Sequence, residues 1–93
     1  MKRIAVVGAA GGVGLALCER LSKSKKYIVR GCVAPWDSET RVQELRKYVS
    51  EVVVGDVTKE ADVRKFLTGM DVVVNCAAAL ADRGGSRSAA PAE

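Results

Sequence analysis

The chain has 93 residues, enough for one small domain. Its hydrophobic fraction is 48% and its net charge +4, with lysine and arginine spread along the chain. That hydrophobic fraction is ordinary for a globular protein, and the charge argues against a nucleic-acid surface, because no aromatic residues interleave with the basic ones. With no histidine, His-based acid–base chemistry is excluded and a zinc site is hard to build.

Lys2 to Val7 reads as a first strand, apolar on both faces and so suited to a covered parallel sheet. A glycine cluster follows at once, Gly8-x-x-Gly11-x-x-Gly14, with Gly12 inside it. The apolar positions Val13, Leu17 and Leu21 then recur at helical spacing, predicting a helix over Gly12 to Ser22. Strand, tight glycine turn and helix in that order are the context of a phosphate-cradling loop. Gly8 allows a sharp turn, Gly11 and Gly12 allow a ligand to approach the backbone, and Gly14 allows the helix to pack close to the strand. The first amides of the helix have no intrahelical partner, and with the helix dipole they favour an anion. A plain strand-to-helix turn is the alternative reading.

Tyr27 to Val33 is expected as a second strand, with Arg30 leaving one face partly open. Pro35 stops it, and Asp37 or Ser38 can cap a second helix carrying Val42, Leu45 and Val49. Trp36 is placed either to stack on a ligand ring or to pack on that helix. Glu51 to Gly55 is a third strand. Thr58 is expected to cap a third helix, with Val63, Phe66 and Leu67 on its apolar face and Gly69 at its end. Asp71 to Cys76 is a fourth strand. Residues 80–93 show no apolar period and read as a flexible tail.

The three cysteines, Cys18, Cys32 and Cys76, have no metal-type spacing and lie in apolar contexts. They read as buried reduced thiols, which points to an intracellular, cytoplasmic compartment. Met1-Lys2-Arg3 leads into a run too short for a signal peptide, and nothing approaches the ~18 apolar residues of a membrane helix.

Alternating strands and helices with short links predict an α/β fold with parallel, right-handed crossovers. The expected strand order is 3-2-1-4, with the first two helices on one face and the third on the other. This is somewhat more than half of a dinucleotide-binding sheet.

The stretch Gly8-Ala9-Ala10-Gly11-Gly12-Val13-Gly14 resembles the glycine motif of extended and atypical short-chain dehydrogenases/reductases. Val53-Val54-Gly55-Asp56-Val57-Thr58, then Asp62-Val63, then Gly69-Met70-Asp71-Val72-Val73-Val74-Asn75-Cys76-Ala77-Ala78 are similar to the same group, closest to its NAD(P)H-binding, NmrA-like branch. The resemblance covers residues 3–79 and implies a truncated, three-layer Rossmann-like domain over 1–79. It implies a cofactor site built from Gly8, Ala10, Gly11, Gly12, Val13, Gly14, Ala34, Asp56, Val57, Cys76, Ala77 and Ala78. In that scheme Asp56 accepts from the adenine amino group, and Cys76 to Ala78 pass under the ribose and pyrophosphate. For Asp56 the plain alternative is a helix-entry residue.

The superfamily's catalytic pair is a tyrosine with a lysine four positions later. Here Tyr27 is followed at that spacing by Gly31, and Tyr48 by Val52, so no catalytic residue is assigned and chemistry of the chain's own is not expected. The expected role is an NAD(P)-binding module derived from such an oxidoreductase. The alternatives are an NmrA-like redox-sensing regulator and the cofactor domain of a saccharopine-reductase-like enzyme, which shares the Val-Val-Asn-Cys-Ala run.

An NAD-selective site usually has a carboxylate at the end of its second strand. That end reads Val33-Ala34-Pro35, and NADP-binding relatives often carry arginine in place of Ala34. Absence of the carboxylate, with Arg41 able to reach a 2′-phosphate, favours NADP over NAD. The fourth strand has no fifth to cover it, so self-association or a partner chain at that edge is expected.

Overall fold

A computed structural model describes residues 1–77. The expected tail over 80–93 and the expected contact of Ala78 lie outside the described residues. Four strands and three helices alternate: β1 (Lys2–Val7), α1 (Gly12–Ser24), β2 (Tyr27–Val33), α2 (Glu39–Leu45), β3 (Glu51–Val54), α3 (Glu60–Leu67) and β4 (Val72–Asn75). The strands form one parallel sheet ordered β3-β2-β1-β4, as the alternation predicted.

The alternation of β1 divides the core in two. Ile4 and Val6 join Val29 and Val33 of β2, Cys18 of α1 and Leu45 of α2 on one face. Ala5 and Val7 join Cys32 and Phe66 of α3 on the other. A period of two is what puts consecutive β1 residues into different cores. The result is a three-layer α/β arrangement, with α1 and α2 on one side of the sheet and α3 on the other.

Several local expectations are revised by packing. Helix α1 runs two residues beyond the expected Ser22, and in its last turns Ser22 and Ser24 donate their hydroxyls to the carbonyls of Glu19 and Leu21. Lys25, in the left-handed conformation at φ 57, then ends it. Val13 leaves the apolar face and is 67% exposed, while Gly14 and Cys18 turn inward. Ser38, not Asp37, caps α2 by accepting from the Arg41 amide at 3.5 Å. Thr58 does not cap α3, whose N-cap is Lys59. Leu67 is exposed and Phe66 alone of α3 is fully buried. Cys76 is half-buried where full burial was expected, and Cys18 and Cys32 are buried.

Arg30 opens neither face. Its guanidinium pairs with Glu51 at 2.7 Å and donates to the carbonyls of Lys65, Phe66 and Thr68 at 2.8–3.2 Å. A helix C-terminus leaves carbonyls without intrahelical partners. Arg30 supplies the cation those carbonyls lack, and so fixes the end of α3 against β2. At the sheet edge, β4 pairs only with β1 among the described residues, and Val72 and Val73 are exposed.

Candidate dinucleotide site

Because all four strands are parallel, their carboxyl ends share one edge of the sheet. The glycine turn leaves β1 at that edge. Gly8 sits at φ 79, a conformation that favours glycine, and its carbonyl accepts from the Gly11 amide at 3.1 Å. The Gly8 and Ala9 amides both donate to the Cys32 carbonyl at 3.1 Å, tying the turn to β2. A Cβ at Gly8 would lie 2.7 Å from the Ala77 amide, and a Cβ at Gly14 would meet Ala9 Cα at 2.8 Å. Around Gly12 the situation is reversed: a Cβ there would meet nothing within 4 Å.

These three glycines therefore do different things. Gly8 and Gly14 let backbone segments touch, whereas Gly12 faces open space at the start of α1. That helix has Gly11 as its N-cap, no side-chain cap bond and no acidic residue in its first turn. Its leading amides are left for a ligand, and the dipole suits an anion.

Beside the turn lies an open cleft. Gly8, Ala34, Val57 and Ala77 line it, so the fold brings together the expected residues that follow all four strands. Cys32, Gly55 and Phe66 contribute the inner wall, with Trp36 and Asp37 at the margin. Trp36 is 69% exposed there.

The other expected residues are placed differently. The Ala10 side chain is 2% exposed and packs in the α1 core, so only its backbone remains for a ligand. Gly12 and Val13 are exposed at the start of α1. Cys76 packs toward the α1 core, outside the cleft lining. Asp56 is half-buried, and its Oδ1 accepts from the Thr58 hydroxyl at 2.7 Å and the Thr58 amide at 2.9 Å. Those two donors hold its carboxyl below the usual carboxylate range. Its own amide donates to Asp62 Oδ2 at 2.8 Å.

Sequence reasoning passed over three contributors to this edge. The Cys32 carbonyl holds the glycine turn, Asp62 fixes the loop after β3, and the Asp37 carboxylate binds the Ala34 amide at 2.7 Å. Asp37 had a sequence signal in the Pro35-x-Asp37 turn, and Asp62 had one in the Asp62-Val63 step of the family resemblance, though neither was assigned this role.

Uncapped helical amides, a glycine turn open at Gly12 and a cleft at the carboxyl ends of parallel strands together fit a pyrophosphate with an attached nucleoside. The model of the NAD(P)H-binding family matches residues 8–92. The chain belongs to the NAD(P)H-binding family. Its cofactor class is accordingly a nicotinamide dinucleotide.

One relative of this NAD(P)H-binding chain is the uncharacterized UDP-glucose epimerase YtcB of Bacillus subtilis (strain 168). The two are 33% identical over 82 residues, covering 82% of this chain and 26% of the relative. The chain thus spans about a quarter of the length of the curated relative it matches. Both findings accord with a module like that of the short-chain dehydrogenases/reductases. Among the described residues, no helix is long and apolar enough to cross a membrane.

Proposed function

We propose that this chain is the dinucleotide-binding module of a short-chain dehydrogenase/reductase-like oxidoreductase, without a proton-transfer pair of its own. The position of the tyrosines carries this reading. Tyr27 begins β2 and Tyr48 precedes β3, so both lie at the amino ends of the strands, opposite the cleft. Tyr48 donates its hydroxyl to Glu44 at 2.7 Å, and that bond pushes its pKa up to about 12. A proton-transferring tyrosine needs the opposite shift, toward the working pH.

In this reading the α1 amides and the Gly11–Gly12 backbone hold the pyrophosphate. Ala34, Val57 and Ala77 surround the adenosine, and the Asp56 loop sits beside the ring. The bound group supplies hydride chemistry, and the chain supplies its binding and orientation. The free thiols fit a reducing compartment, and a cytoplasmic location is part of the proposal.

The same placement of the tyrosines supports a second reading, an NmrA-like regulator that senses the redox state of the nucleotide. Titration with NADH and NADPH, followed by nucleotide fluorescence, tests the shared premise. Saturable binding is expected, and no binding of either at millimolar concentration overturns both readings. A partner pull-down whose yield changes between oxidised and reduced nucleotide separates the regulator from the module.

A further inference from the structure

The residue directly after β2 is Ala34, with no charge to read a ribose, yet a carboxylate reaches that point in the fold. The chain turns at Pro35 and Trp36, and the Asp37 amide donates to the Ala34 carbonyl at 3.1 Å. In return the Ala34 amide donates to Asp37 Oδ2 at 2.7 Å. This reciprocal pair closes the loop and brings the Asp37 carboxylate back to the end of β2. Oδ1 has no protein partner among the described residues. Asp37 is half-buried and lines the cleft beside Ala34. It is the one charged residue among the described lining. Arg41, the expected partner of a 2′-phosphate, is exposed on α2 and does not line the cleft.

We propose that Asp37 makes the site selective for NAD(H) over NADP(H), in place of the carboxylate that is missing at position 34. The inference rests on the dinucleotide reading of the cleft. A carboxylate can accept from both hydroxyls of an adenosine ribose. A 2′-phosphate removes one of those donors and brings about two negative charges against a third. No cation among the described lining residues offsets them. On this proposal the preference for NADP suggested by the linear sequence loses both its grounds, since a carboxylate stands at the end of β2 and Arg41 does not line the cleft. Selectivity here comes from a repulsive element as much as from an attractive one.

The test is paired titration with NADH and NADPH, read by the fluorescence of Trp36, the only tryptophan in the chain. The wild-type chain should bind NADH at least about tenfold more tightly, and added salt should narrow the gap by screening the repulsion. Asp37→Asn keeps an oxygen for the Ala34 amide and removes the charge. It should bring the two affinities within about threefold of one another, mainly by improving NADPH. Ala34→Arg should move the preference toward NADPH. Equal or tighter binding of NADPH by the wild-type chain overturns the assignment without recourse to any variant, and leaves the dinucleotide reading intact. An unchanged ratio in a folded Asp37→Asn variant also overturns it. Failure to bind either nucleotide refutes the dinucleotide reading itself, and the selectivity with it.

Discussion

Gly14 of α1 packs directly on the Gly8 carbonyl, so that a Cβ at position 14 would fall inside the contact distance of that oxygen. The obstacle is backbone, in a turn already tied to β2 through the Cys32 carbonyl. It cannot step aside as a flexible side chain would. This contact sets how near the start of α1 approaches the end of β1, and hence where its free amides point.

Gly14→Ala and Gly12→Ala should therefore part company. Alanine is about 1 kcal/mol better than glycine inside a helix, which favours both changes in isolation. At position 14 the clash outweighs that gain, and a net loss of roughly 1–3 kcal/mol is expected. At position 12 no atom obstructs the Cβ and φ is not positive. A gain of about 0.4–1 kcal/mol is expected there. Thermal unfolding should separate the two variants, at about 4–8 °C per kcal/mol for a domain of this size. On the proposed reading Gly12→Ala should nevertheless bind dinucleotide more weakly, since its methyl group enters the space assigned to pyrophosphate. A stable Gly12→Ala variant with unaltered affinity would remove Gly12 from the site.

Arg30 is 14% exposed and joins β2 to the end of α3. Arg30→Met should cost roughly 2–3 kcal/mol, because carbonyls that shared a charged donor lose it. Arg30→Lys should recover less than half, since an ammonium cannot reproduce the fork that meets Glu51 and three carbonyls together. Amide exchange in α3 should accelerate more than in α1. Equal acceleration across the sheet would mean that Arg30 supports the whole fold rather than the α3 end.

The thiols should differ in reactivity and contribute to alkaline instability. Burial pushes Cys18 up to about 12 and Cys32 up to about 11. Burial also raises the half-buried Cys76. In the native protein an aromatic disulfide reagent should modify Cys76 first, reaching Cys18 and Cys32 only on unfolding. A thiol with a raised native pKa is protonated in both states below the unfolded value near 9. Above it the unfolded chain loses its proton first, so stability should fall as pH rises from about 9 toward the native values. Cys18→Ala should flatten that decline. Mass mapping of the modified residues and unfolding midpoints across alkaline pH check the two halves.

The order of elements, the parallel sheet and the glycine turn were legible in the linear chain, because each rests on local chemistry. The apolar run of β1, the spacing of Gly8, Gly11 and Gly14 and the break at Pro35 act within a few residues of themselves. Strand–helix alternation with short links then leaves few topologies open, and 3-2-1-4 is among them. Most of the candidate edge followed, since residues after parallel strands must meet there. Only the tertiary structure decided which side chains face it. Ala10 turns into the α1 core and Val13 into solvent, because the packing of Gly14 against the turn sets the rotation of α1. Asp56 is engaged by Thr58, and Arg30 by carbonyls more than thirty residues away in the chain. Asp37, three positions beyond the end read as uncharged, returns to it through two hydrogen bonds. Such contacts depend on how a loop closes in space, and a turn geometry of that kind leaves no periodicity to read.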